Sequence, residues 1–265
     1  MQDRFLIGKI FKGNELAYGV FKPSNEKDVR GKEQGGQGWG YTEQLSTDTK
    51  IWQSHLDGEE SIGAVPIDHD NNCHWGCIDI DSYKNFDHIT LLTSIERAKL
   101  PFIVCRSKSG GAHVYCFFSK GVKAKDLQKK LRQASALLGY KDAEVFPKQI
   151  RLLKGQNGNY VNAPYFNEKD CQRYALKLEN NQLKKLSLSE FYDEYELQAL
   201  GDIKELEREI KERGLNDKNS LEFNTAYDAE LVRRVAEKTR NEGQIEFDLI
   251  SDEQKKKALG MRVRN

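Results

Sequence analysis

Asp79 and Asp81 close the apolar run Trp75-Gly-Cys-Ile-Asp-Ile-Asp81 with a single residue between them. On a strand, side chains alternate faces, so both carboxylates point the same way, separated by roughly 6–7 Å of rise. That spacing suits two hard divalent cations sharing carboxylate oxygens, the arrangement used to displace one phosphate oxygen by another. A second segment, Val104-Cys-Arg-Ser-Lys-Ser-Gly-Gly-Ala-His113-Val-Tyr-Cys-Phe-Phe118, puts a Ser/Gly loop between two apolar runs, with a histidine at its far edge. Loop N–H groups, with Arg106, Ser109 and His113, offer donors to an anion such as a triphosphate. A third acid, Glu144, lies in Ala-Glu-Val-Phe-Pro-Lys-Gln149, and Lys148 and Arg151 follow it as phosphate-type donors. Each feature alone has a plain explanation: solvated acids at a strand end, a glycine turn in a hairpin, a satisfied core histidine. Their succession in one stretch is what points to chemistry on phosphates.

Several elements must hold these residues. Residues 4–21 read as two short strands, Phe5–Phe11 and Ala17–Phe21, around a Gly-Asn turn. Residues 22–50, rich in Gly, Gln and charge, read as a long irregular loop, the kind that is often functional. Trp39 and Tyr41 stand beside glycines there, and could stack a base or pin the loop to the core. Ser61–Ile67 reads as a strand and Asp68–Asn72 as a turn into the acidic strand. A helix over 86–100 stops at Pro101, strands follow at 101–106 and 112–119, and an amphipathic helix spans 124–138. Strands near 143–146 and 160–166 complete the core. The order β-helix-β-β-helix-β over 75–147 predicts a ferredoxin-like split unit, a topology that hosts many functions. Beyond Leu186 the texture becomes charged and helical, with helices at 187–200, 202–213 and 225–242 started by Ser187, Asp202 and Thr225. The expectation is an α+β core over 1–180, with an N-terminal β-rich lobe, and a helical accessory module over 186–265.

Composition bounds the partners. With 31% charged residues and no apolar run near 18 residues, the chain predicts a soluble protein with no membrane span. It shows no signal-peptide layout, and five cysteines do not look like a disulfide framework, so a reducing cytoplasm is expected. The one close cysteine pair, Cys73-His-Trp-Gly-Cys77, lacks the second pair of a structural zinc; Cys77, Cys105 and Cys116 read as buried small hydrophobes. Net charge is only +1, but residues 99–154 carry 13 Lys+Arg against 3 Asp+Glu, and residues 186–250 carry 9 against 17. A basic middle fits a polyanionic partner, although a solvated helix face supplies part of the excess.

The segments Cys77-Ile-Asp-Ile-Asp, Arg106-Ser-Lys-Ser-Gly-Gly-Ala-His-Val-Tyr, Glu144-Val-Phe-Pro-Lys-Gln and Gly158-Asn-Tyr-Val-Asn-Ala-Pro-Tyr-Phe166, in this order, resemble the archaeo-eukaryotic primase superfamily. The likeness is nearest to the primase-polymerases of phages, plasmids and mobile conflict systems. His55-Leu-Asp-Gly58 and Ile62-Gly-Ala-Val-Pro66 resemble the segment that precedes the acidic motif, so the likeness covers residues 50–170. It implies a primase-polymerase core with an RRM/ferredoxin-like mixed sheet, acting on single-stranded DNA template and primer with NTP or dNTP substrates. Asp79, Asp81 and Glu144 would be the catalytic acids and hold Mg²⁺ or Mn²⁺; Arg106, Ser109, His113 and Lys148 would bind the nucleotide. The loop here is one residue shorter than the Ser-Gly-x-Gly-x-His form of the family, which leaves open whether Ser107 or Ser109 faces the phosphates. The setting implied is the cytoplasm of a bacterial or phage-infected cell. With no Gly-x-x-x-x-Gly-Lys-Ser/Thr motif, a helicase would be a separate chain or a missing part. Two other readings remain at this stage. A metal-dependent glycosyltransferase also uses Asp-x-Asp, but does not account for the Phe-Pro-Lys-Gln segment. A non-catalytic nucleic-acid binder gains nothing from three clustered acids.

Overall fold

Ile7, Ile10 and Phe11 stand three and four residues apart, and all are buried while Lys9 is exposed. That is the spacing of one helix face. In a computed structural model, which describes residues 2–27, 33–81 and 86–212, the N-terminal segment is accordingly a helix, α1 (Gln2–Ile10), and not the expected strand. The long loop expected over 22–50 is also replaced. Strand β1 (Ala17–Lys27) pairs antiparallel with β2 (Glu33–Tyr41), and α2 (Thr49–Leu56) follows, capped by the Asp48 carboxylate accepting from Lys50 and Ile51 N–H. Glycines at every other residue hid β2 from a reading based on apolar alternation.

Next come β3 (Ser61–Ala64), β4 (Asn72–Ile80), α3 (His88–Arg97), β5 (Ile103–Arg106), β6 (Ala112–Lys123), α4 (Ala124–Leu137) and β7 (Glu144–Phe146). The chain continues through β8 (Val161–Asn162), β9 (Ala175–Glu179), β10 (Gln182–Lys185), α5 (Leu188–Gln198) and α6 (Ile203–Glu212). The expected strand over 160–166 is ordered as a ladder only at its start, and the β9–β10 hairpin was not expected. The helix expected over 225–242 lies outside the described residues.

Two sheets result, with strand orders β2-β1-β3-β8 and β10-β9-β5-β6-β4-β7. Within the second, β5-β6-β4-β7 is the order of the split unit read from the sequence. The expected mixed sheet is instead antiparallel in every strand ladder, because each crossover helix returns the chain to a slot beside an oppositely running strand. Together these make an α+β fold.

The six-stranded sheet is covered on both faces. Leu127 and Leu131 of α4 press on Gly76 of β4: a Cβ there would lie 2.6 Å from Leu131 Cδ1 and 2.9 Å from the Phe146 carbonyl oxygen. On the other face Trp75, Cys77, Tyr115 and Phe117 pack with Phe11, Ile62 and Phe191. Phe191 of α5 is fully buried, its ring 6.3 Å from Phe11, 6.2 Å from Phe117 and 5.4 Å from Tyr165. Leu206 and Ile210 of α6 are buried too, and Lys130 of α4 meets Glu207 at 2.9 Å. The unit that contains the core runs through Arg213, so the boundary expected near residue 186 falls inside it.

Candidate active site

In an antiparallel ladder, directly paired residues share a face. Asp79 of β4 pairs with His113 of β6 on one side and Glu144 of β7 on the other, and Cys105 of β5 lies beyond His113. Cys105, His113, Asp79 and Glu144 therefore form one row across four strands. One period inward, Ile103, Tyr115, Cys77 and Phe146 form the parallel row, and all four are buried. The same face thus changes from core to polar within two residues. Asp81, one residue past β4, is exposed at the rim.

His113 is buried, with Nε2 3.4 Å from Asp79 Oδ1 and Nδ1 3.0 Å from the Tyr115 hydroxyl. Burial, with the Arg173 guanidinium adding to it, pushes the imidazole pKa down to about 3. The ring is therefore neutral, and its 3.4 Å contact with Asp79 Oδ1 is neither an ion pair nor a hydrogen bond. Nδ1 accepts from Tyr115 O–H when the ring carries its proton on Nε2. Burial raises the Tyr115 phenol well above its ordinary range, which keeps that donor proton in place. The Asn162 carbonyl, 3.4 Å from the same hydroxyl, is its weaker alternative.

The Ser107–Gly111 loop closes on itself: Ser107 N–H donates to Gly111 O and Gly110 N–H to Ser107 O. Gly110 takes φ +95°, a backbone conformation that side chains resist. Two of the amides expected to cradle an anion are thus used inside the turn. Ser107 is buried, whereas Ser109 donates to Asp81 Oδ1 at 3.2 Å and lies 3.0 Å from the Ser107 hydroxyl. Ser109 is therefore the serine nearest the acids. Lys108 crosses to the first sheet, its Nζ 3.0 Å from the centre of the Phe21 ring. Arg106 is not brought to the row. It pairs with Ala112, which lies on the helix-covered face, and its Nη1 donates to Gln172 O at 3.1 Å. Glu144 and Lys148, expected as metal ligand and phosphate donor, pair with each other at 2.7 Å.

All three acids offer oxygen donors, the ligand type preferred by Mg²⁺ and Mn²⁺. Among the described residues no three His, Cys, Asp or Glu side chains form a ready cage. Glu144 is turned onto Lys148, and Asp81 takes the Ser109 hydroxyl. The donor chemistry fits a hard cation, and the Glu144–Lys148 pair, well exposed, is one that such a cation can displace.

Two residues behind the row were missed. Tyr115 was legible, two residues from His113 on the same strand face. Arg173 carried no signal, since the segment around it was not assigned to any element. It is buried, donates to the Ser61 hydroxyl at 2.5 Å, and lies 4.9 Å from the Phe166 ring centre. His55 is a brace: Ile62 N–H donates to Nδ1 at 3.0 Å, which leaves Nε2–H to donate to Pro164 O at 2.8 Å.

Residues 19–207 match the family model described as the archaeo-eukaryotic primase domain of the TOTE conflict system. Two solved structures are similar at low identity. One is the crystal structure of the catalytic domain of primase RepB' in complex with initiator DNA, at 13% identity over 78% of this chain and 98% of that one, with a TM-score of 0.33. The other is the crystal structure of primase RepB', at 11% identity over 91% and 76%, with a TM-score of 0.35. No curated protein matches the chain. Among the described residues no helix is long and apolar enough to cross a membrane.

Proposed function

The chain belongs to the archaeo-eukaryotic primase domain family of TOTE conflict systems, whose chemistry is primase-like nucleotidyl transfer, and from that premise we propose that it is a DNA primase-polymerase making or extending primers on single-stranded DNA. The observation that carries the reading is the row His113–Asp79–Glu144 across three strands, with Asp81 and Ser109 at its rim. Asp79, Asp81 and Glu144 would hold Mg²⁺ or Mn²⁺, which when bound supplies charge neutralisation at the reacting phosphate and lowers the pKa of an attacking hydroxyl.

The chain's own groups set the rest. Neutral His113 stands 3.4 Å from Asp79 Oδ1 and leaves the charge of that carboxylate uncancelled. Ser109 bridges Asp81 and the loop, so a triphosphate arriving at the loop meets a hydroxyl already placed beside the acids. Lys148, once parted from Glu144, is a cation within one side chain's reach of the same phosphates. The core beneath the row excludes water from one side of the site.

The test is synthesis on single-stranded DNA with labelled NTP and dNTP mixes and Mg²⁺ or Mn²⁺, with and without primer. Parent protein is expected to make product, and Asp79→Ala/Asp81→Ala to lose at least 100-fold, as for removal of groups acting only in the transition state. Product undiminished in the double variant would sink the mechanism. No product from the parent, with DNA binding intact, would move the assignment to a non-catalytic binder.

A further inference from the structure

Trp39 and Tyr41 lie on one face of β2, opposite Gly19 and Ala17 of β1. Gly19 pairs in turn with Gly63 of β3. A Cβ on Gly19 would sit 2.4, 2.4 and 2.5 Å from Cδ1, Cγ and Cδ2 of Tyr160, and one on Gly63 would sit 2.2 Å from Cδ2. Near-equal distances to three ring atoms put the flat of the Tyr160 ring on that glycine pair. Trp39 meets Tyr160 edge-to-face, with ring centres 5.2 Å apart at 87°. The Tyr41 hydroxyl accepts from Asn157 Nδ2 at 3.2 Å, and Asn157 O accepts from Asn14 Nδ2 at 2.9 Å. The aromatics are held in place from one side only: Trp39 is 39% exposed and Tyr41 68%.

The segment joining β7 to Tyr160 extends this surface. Ile150 is 47% and Leu153 57% exposed, and Leu16, bonded through its carbonyl to Thr42 N–H, is exposed beside Tyr41. Five of the eight exposed large hydrophobics among the described residues thus belong to this one region. Such clustering marks a contact surface and not scattered surface apolarity. Lys148, Arg151 and Lys154 punctuate it, and no Asp or Glu occurs between Glu144 and Glu168. Exposed aromatics among cations of one sign match a strand that presents bases and phosphates together.

We propose that Trp39, Tyr41 and Tyr160, flanked by Arg151 and Lys154, form a stacking shelf for an unpaired strand of DNA. Bases lie on the rings, phosphates meet the cations, and Lys148 links the shelf to Glu144 in the acidic row. Calling that strand the template rests on the function proposed above; the binding itself does not depend on the acids.

The experiment uses the full chain carrying Asp79→Ala/Asp81→Ala, titrated into a fluorescein-labelled oligo-dT strand and, separately, a duplex of equal length, with anisotropy as readout. Trp52 and Trp75 are fully buried, so quenching of tryptophan fluorescence reports on Trp39. Adding Trp39→Ala/Tyr41→Ala is expected to weaken single-strand binding at least 10-fold and abolish the quenching, since each stacked base contributes on the order of 1–3 kcal/mol. Adding Arg151→Ala/Lys154→Ala is expected to flatten the slope of log K against log salt by about 1.4. Circular dichroism and melting matched to the parent keep misfolding from mimicking either result. Single-strand affinity within twofold of the parent in the aromatic variant would overturn the shelf, as would tighter binding of duplex than of single strand. Because binding is read in a chain without the acids, failed synthesis by the parent alongside aromatic-dependent binding would strike only the catalytic proposal.

Discussion

His113 shows what a single residue contributes beyond its identity. With His55 it is one of two buried imidazoles whose pKa lies at about 3. For His113 the causes are burial and then Arg173; for His55 burial again dominates, opposed by the bond to Pro164 O. Both rings take up a proton in the unfolded chain near pH 6.5 but not in the folded one. Their contribution to stability is therefore complete above about pH 6.5 and is lost as pH falls toward 3, at a limiting rate of about 1.4 kcal/mol per pH unit for each ring. Urea midpoints measured from about pH 7 down to about pH 4.5 should fall less steeply in His113→Gln than in the parent, and equal slopes would refute the neutral-ring assignment. The acids and the histidine were legible in the sequence because a strand has a fixed period of two, so Asp79, Asp81 and, by type, His113 and Glu144 announce themselves. The Glu144–Lys148 pairing was not legible, since two groups assigned to different ligands satisfy each other when neither ligand enters the account. The face taken by Arg106 was not legible, because at a strand end it depends on a cross-strand register that no local spacing reveals.

At the scale of elements, periodicity carried the reading where apolar residues were dense. The β4-α3-β5-β6-α4-β7 unit followed from it, and so did the α5 start, where Ser187 and Glu190 form a capping box. It failed where glycine replaced the alternating residue, as in β2, and where one short run suited two periods, as in α1. The β9–β10 hairpin had a signal that went unread. Asn180 and Asn181 both take positive φ, 53° and 60°, as a two-residue hairpin turn demands and asparagine tolerates. Packing of α4 on β4 gives the test at this scale. Gly76→Ala would drive a methyl against Leu131 and the Phe146 carbonyl, and backbone cannot retreat as a side-chain tip can. The expected loss is about 1–3 kcal/mol in urea unfolding. An unchanged midpoint would mean the helix stands further from the sheet than described.

For the molecule as a whole, the decisive feature is the reach of α5 and α6 into the core. Phe191→Ala should lose about 3–5 kcal/mol, the range for a fully buried phenylalanine. A chain cut after residue 180 should fail to give a cooperative thermal transition, and a cut fragment melting like the parent would restore the boundary near 186. The sequence pattern pointed the other way, because narrow apolar stripes among many charges look like a detachable module. Only the partner surfaces, Phe11 and Phe117 among them, show that those stripes are wide enough for the cavity they fill.

The Phe11–Phe191 contact also bears on how the protein is born. Phe11 leaves the ribosome early, and its partners Trp75, Tyr115 and Phe117 follow long before Phe191. At a synthesis rate of roughly 5–20 residues per second, the 74 positions from residue 117 to residue 191 take about 4–15 s. For that interval the nascent chain holds an aromatic cluster open on one side, a natural landing place for a chaperone. A slow stretch of codons just upstream of α5 would lengthen the wait, and one downstream of α6 would leave it unchanged.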